Sequence, residues 1–215
     1  MPLRVGATLR ALGRKLSVRS ALLPAALFAI TALAPAQQLC QASGFATGTG
    51  FGGVGRHFSP GAVGATTQLI QSIGLDEVYG DAQTACDLAN SMVITTLSNA
   101  VALLVPDLYL QLLGMGCTPL YWDYYESFQF CWVTMRVEWR DGSGNLVHEQ
   151  TLGWLCEAVQ SGIQTFGADL AGLLASMTPA ERQAFEQLTV DVWMSCDIHR
   201  KIKVTAYGIP NTPPV

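Results

Sequence analysis

Cys131-Trp-Val-Thr-Met-Arg-Val-Glu-Trp-Arg-Asp-Gly-Ser-Gly-Asn-Leu-Val-His-Glu-Gln-Thr-Leu-Gly-Trp-Leu-Cys156 is the stretch on which the fold turns. From Cys131 the alternate residues Val133, Met135, Val137 and Trp139 are apolar, while Thr134, Arg136, Glu138 and Arg140 are polar. Period-two alternation marks a strand with one dry and one wet face. Asp141-Gly-Ser-Gly144 supplies the turn chemistry, so residues 128–155 read as a β-hairpin. Pairing Arg140 with Asn145 sets Arg136 opposite Glu149 and Thr134 opposite Thr151 on the wet side. The same register sets Trp139 opposite Leu146, Val137 opposite His148, Val133 opposite Leu152 and Cys131 opposite Trp154 on the dry side.

Downstream of the hairpin the period becomes helical, with Val159, Ile163, Phe166, Leu170, Leu173 and Met177 on one side. Thr178-Pro-Ala-Glu181 has the form of a capping box with proline at the first helical position. It is expected to open a helix carrying Phe185, Leu188, Val192 and Cys196. Ile198 to Ile209 alternates around Ile202, Val204 and Ala206 and is expected to add a strand to the hairpin.

Upstream, Leu69, Ile70 and Ile73 make a short helical stripe, and Asp81 is placed to cap a longer one through Cys86, Ala89, Val93, Leu97, Val101 and Leu104. Pro106 predicts a kink or new start, and Gly114 with Gly116 a stop. The run Met92 to Met115 is apolar enough to resemble a membrane span. Asp107 and the polar residues Thr95, Thr96, Ser98 and Asn99 point instead to a buried core helix. Residues 37–64 are glycine-rich, with eight glycines between Ser43 and Gly64, and read as an arm or pinned loop.

The expected fold is therefore α+β: four or five helices packed on a small antiparallel sheet, in one domain over residues 65–209, with a free tail at 210–215. Half of the 215 residues are hydrophobic and 13% are charged, which excludes a largely disordered chain.

Residues 1–36 differ in kind. Arg4, Arg10, Arg14, Lys15 and Arg19 precede an uncharged apolar run from Ala21, closed by Ala34-Pro35-Ala36. That order is a secretory signal peptide, implying a secreted or periplasmic protein with no transmembrane segment after cleavage. Beyond residue 36 remain seven of the twelve Lys/Arg and all sixteen Asp/Glu, a formal net charge of −9. So acidic a body argues against nucleic acid as a partner.

All six cysteines, Cys40, Cys86, Cys117, Cys131, Cys156 and Cys196, follow the leader. An even number in an exported chain reads as up to three disulfides, with the pairing open. Cys131 and Cys156 are diagonal in the expected register, a poorer geometry than a helix partner would offer. No Cys-x-x-Cys occurs and the spacing is too wide for a zinc ribbon, so neither a metal nor another cofactor is expected.

Candidate chemistry is sparse. Asp197 and His199 alternate onto one side of an extended segment, where the carboxylate could orient the imidazole as a general base. His148, on the dry side of the hairpin, and Asp123 are the other candidates for a small secreted hydrolase. His57, after the glycines, could be presented to a ligand. Tyr121, Trp122, Tyr124 and Tyr125 could stack on a sugar or peptide, and Asp123 with Glu126 could flank a bond or hold calcium if helical. No nucleophile elbow, P-loop or dinucleotide fingerprint is present. The reading favoured is an exported, non-catalytic binding or assembly protein with a protein or cell-surface partner. The hydrolase and a small-molecule carrier with an apolar cavity are the alternatives.

Overall fold

A computed structural model describes residues 40–211, so the leader and the last four residues of the tail lie outside the described residues. The elements run β1 (Cys40–Phe58), α1 (Ala65–Gly74), α2 (Glu77–Gly114), β2 (Cys117–Arg140), β3 (Leu146–Leu155), a 3-10 turn (Cys156–Ala158), α3 (Val159–Ser176), α4 (Pro179–Glu186) and β4 (Thr189–Pro210). The four strands form one antiparallel sheet in the order β1-β4-β2-β3. The α+β architecture with helices against an antiparallel sheet is the one the sequence implies.

The helices cover one face. Val133, Met135, Val137 and Trp139 of β2 and Val190, Val192, Met194 and Cys196 of β4 bury against Leu69, Ile73, Val78, Val93, Ile163 and Phe166. Full burial of a side chain of this size contributes about 1.5–3 kcal/mol. Trp139 Nε1 donates to the buried Thr66 hydroxyl at 3.1 Å, satisfying the one polar atom its ring brings in. A second, smaller core at the other end of the sheet joins Ala42, Leu108, Leu112, Cys117, Val204 and Ala206.

Several sequence expectations need correction. The glycine-rich stretch is not an arm: Cys40 to Phe58 pairs residue for residue with β4. Its inward positions Gly44, Gly48, Gly50 and Gly52 meet α2 so closely that a Cβ on Gly48 would lie 2.8 Å from the Val93 carbonyl oxygen. The glycines are thus a flat seat for a helix backbone.

The helix opened by Thr178 ends at Glu186, although its capping box forms in full. The segment beyond alternates Val190, Val192, Met194, Cys196 and Ile198 on one face, and it becomes the central strand. Flanked on both sides, it makes two ladders that a helix would forgo.

Asp81 does not cap α2, which starts at Glu77 after Asp76 in a left-handed conformation. The helix also runs through Pro106 without ending. Pro106 and Ala102, whose carbonyl loses its helical donor, both face solvent, so water can replace the missing bond. Met92 to Met115 is not buried: among its apolar residues only Val93, Leu108 and Leu112 are interior. By length and composition alone, α2 is apolar enough to cross a membrane.

The hairpin register is two residues from the one expected, with Trp139 opposite His148 and a bulge between Trp139 and Arg140. A shift of two keeps the side chains paired with Trp132 to Trp139 on their expected faces, while past the bulge Leu146 stands opposite Arg140. A longer turn and the bulge explain it: Asp141 Oδ1 accepts from the Ser143 and Asn145 amides at 2.8 and 2.9 Å, so the loop takes five residues where four were expected, and the bulge adds the second residue of the shift.

Three disulfides join Cys40–Cys117, Cys86–Cys196 and Cys131–Cys156, and the chain has no free cysteine. The Cys131–Cys156 Cα atoms are 5.5 Å apart, comfortable for a bridge, because the observed register, continued past the Trp132–Leu155 pair, brings Cys156 opposite Cys131 and not diagonal to it as expected. Three bridges are the chemistry of an oxidising compartment.

Candidate functional site

The uncovered face of the sheet carries the odd-numbered residues of β1 and β4. Near the first residues of β4 this face holds a groove of about 380 Å³ lined by His57, Arg136, Glu138, Arg140, Asp191 and Trp193. His57 and Asp191 are direct cross-strand partners, so the ladder itself places imidazole beside carboxylate. Nδ1 of His57 lies 2.6 Å from Asp191 Oδ1, and Nε2 lies 3.1 Å from the Ser59 hydroxyl. With the carboxylate accepting from Nδ1–H, Nε2 is left to accept the Ser59 proton.

Arginines surround this relay. Arg136 pairs with Glu138 at 3.1 Å, Arg140 pairs with Glu138, and Arg140 Nε lies 3.9 Å from Asp191. The Glu138 carboxylate holds the Arg140 guanidinium above its ordinary pKa. Arg56 is occupied elsewhere: it donates to Asp81 at 2.6 and 2.9 Å and to Glu77, fastening β1 to α2. The Asp81 hydrogen bond is the leading cause of a raised pKa there.

The residues singled out from sequence are scattered over the sheet. Asp197 and His199 do meet, Oδ1 to Nε2 at 2.9 Å, on the open face with the Phe130 ring edge-on at 5.8 Å from the imidazole. Both are about half exposed. His148 lies on the edge strand β3 with its ring 5.1 Å from Trp139, and it is exposed. Asp123 pairs with Thr205, well along β4 from His199.

The aromatic run is strand, not helix, and the strand divides it. Tyr121 and Tyr125 share the open face, where Tyr121 stacks on Tyr207 at 4.6 Å. Trp122 turns to the other side and packs against the small core. Asp123 and Glu126, three apart on a strand, project to opposite faces.

Sequence reading passed over Ser59 and Asp191. The helical stripe through Val192 and Cys196 puts Asp191 inside a helix, whereas the alternation from Val190 to Ile198 is the signal that exposes it. It also passed over the outer face of α2. From Leu88 to Pro106 the helix bears no charge, and Leu88, Met92, Ile94, Leu103 and Leu110 are all exposed, Leu103 by 76%. Ile94 and Leu103, nine residues apart, border opposite sides of the exposed arc, and along its middle Thr84, Leu88, Ser91, Thr95, Ser98 and Ala102 recur at intervals of four and three. The hydroxyls of Thr84, Ser91 and Thr95 donate back to carbonyls of their own helix at 2.8–3.1 Å.

An apolar groove of about 560 Å³ between β3 and α4, lined by Val147, Met177, Ala184, Phe185 and Leu188, opens to solvent. The chain matches no known protein-family profile, no curated protein and no solved structure.

Proposed function

We propose that this is an exported, non-catalytic protein that acts by assembly, its first partner being a second copy of itself joined through the outer face of α2. The observation that carries this reading is the exposed, charge-free stretch of α2. An apolar helix face left in water is the ordinary mark of an interface. The partner is read from the seam. Positions repeating every 3.5 residues are those at which two helices interdigitate. Mostly small residues there, with the Thr84, Ser91 and Thr95 hydroxyls bonded within the helix, let a like helix approach closely. Lipid is the weaker occupant: Ser91, Thr95, Ser98 and Asn99 lie on this face, and α2 carries four acids and no base. Export is supported by the leader and the three disulfides.

The test is light scattering on chain lacking residues 1–36, over a range of concentrations, for the native sequence and for Leu88→Ser/Leu103→Ser. The native chain is expected as a dimer or higher assembly and the variant, with unchanged circular dichroism, as a monomer. A native chain that stays monomeric at every concentration overturns the reading, as does an assembly indifferent to the substitutions. Co-flotation of the monomer with vesicles would assign the face to lipid.

A second reading, a small hydrolase, is favoured by Ser59–His57–Asp191, where the atoms stand in the order nucleophile, base and orienting carboxylate. Ser59 modification by a fluorophosphonate, lost in His57→Gln, is the result expected if the relay is catalytic. Absence of labelling removes it.

A further inference from the structure

Two of the disulfides are neighbours. The Sγ atoms of Cys86, Cys131, Cys156 and Cys196 all lie within 4.8 Å of one another, and Cys131 Sγ is 3.9 Å from Cys196 Sγ although the two are not bonded. We propose that, once its two disulfides are reduced, this cluster is a tetrathiolate site for one soft divalent cation of the zinc class. The inference stands apart from the assembly reading.

Geometry is the first support. Tetrahedral zinc with thiolate bonds of about 2.3 Å places its sulfurs about 3.8 Å apart. The Cys131–Cys196 separation already has this length, so reduction needs only to let each bonded pair part by a side-chain rotation.

The second support is that the sulfurs are held by the fold and not by their own bonds. Cys196 on β4 is the ladder partner of Val133, two residues from Cys131 on β2. Cys86 follows Ala85 on α2, whose carbonyl is seated on Gly52 of β1. Cys156 begins the 3-10 turn leading into α3, which is anchored in the main core by Val159 and Ile163. Opening the disulfides therefore leaves four thiols converging on one point.

Electrostatics give the third. Cys196 is fully buried and the other three are partly so. Four thiolates cannot ionise together there without a cation among them, and a doubly charged soft metal is the one that thiolates prefer. Cys40 and Cys117 sit in the other core and cannot contribute.

The chemistry balances. A phosphine reductant and one water per disulfide yield phosphine oxide and two thiols, and metal binding then releases the thiol protons to solvent. The oxidised chain, whose sulfurs are spent in bonds to each other, is expected to bind nothing.

The experiment is a cobalt(II) titration of the full chain after anaerobic phosphine reduction, followed by optical absorption and circular dichroism, with zinc(II) as competitor. Expected are one cobalt per chain, thiolate-to-metal charge transfer with tetrahedral d–d bands, and displacement by equimolar zinc. Cys40→Ser/Cys117→Ser should bind as the native chain does, whereas Cys131→Ser/Cys196→Ser should lose the bands. Reduced chain that stays folded without taking up metal overturns the proposal. So does reduced chain that unfolds and is not restored by zinc, and so does binding that survives loss of Cys131 and Cys196.

Discussion

The carbonyl oxygen of Ala89 in α2 occupies the space that a side chain at Gly50 of β1 would need. Helix and strand touch backbone to backbone, and nothing on a flexible side chain can give way. Gly50→Ala is expected to destabilise the fold by about 1–3 kcal/mol through overpacking. Gly74, at the end of α1 with open space where its Cβ would be, is the control. Gly74→Ala should be neutral or stabilising by up to about 1 kcal/mol. Urea unfolding of the two variants settles it; equal behaviour would mean that α2 does not sit on the glycines.

Arg56 makes the other tie between the same two elements. Its partner Asp81 is largely shielded, so removing the guanidinium strands a carboxylate. Arg56→Met should cost about 1.5–3 kcal/mol, the range for hydrogen bonds to charged groups. Asp81→Asn/Arg56→Met should recover part of that loss, because it removes the unpaired charge. A double-mutant cycle on chemical denaturation measures the coupling, and additive losses would dissolve the pair.

The Cys86–Cys196 bridge spans 110 residues of sequence and ties α2 to the central strand. Replacing both by alanine should lower stability by about 2–5 kcal/mol in the oxidised protein. Cys131–Cys156 closes only 25 residues, and its loss should cost less. Thermal unfolding of the two double variants gives the order; a reversal would show that local strain relief outweighs loop closure.

In the capping box, Thr178 and Glu181 exchange hydrogen bonds at the start of α4. The Thr178 hydroxyl, and then its amide, hold the Glu181 carboxyl below its ordinary pKa. A depressed carboxyl contributes stability in full above its unfolded value and loses it as pH falls through the lower folded value. Glu181→Gln should therefore be less stable than the native chain at neutral pH and match it in strong acid. Thr178→Ala, which removes the cap itself, should cost about 1 kcal/mol near neutrality. Melting curves across the acid range test both, and a constant gap between Glu181→Gln and native would show that the carboxylate is not the group responsible.

How far the sequence goes depends on how local each device is. Alternation over Val133 to Trp139, the Asp141 turn and the Thr178-Pro-Ala-Glu181 box are each complete within a few residues, and each is found in place. The distribution of dry and wet side chains in the hairpin was legible too, because a shift of two residues preserves parity. The actual partner of Trp139 depended on how many residues the Asp141 turn consumed.

Two patterns competed at Val190–Cys196. Phe185, Leu188, Val192 and Cys196 fit a helical stripe, while Val190, Val192, Met194, Cys196 and Ile198 fit a strand equally well. Periodicity cannot choose between them. The choice falls to the ladders that β4 makes with both β1 and β2, and those are set by residues more than fifty positions away.

By itself, then, the sequence determined the α+β class, the hairpin, the helix cap and the six cysteines. Tertiary structure alone decided that the glycines form a strand, since their lack of side chains acquires meaning only when α2 lies on them. It alone brought Asp191 to His57 and Ser59, and four distant cysteines to one point. It alone left the outer face of α2 uncovered. Each of these rests on proximity between segments remote in the chain, and no periodicity within either segment encodes that proximity.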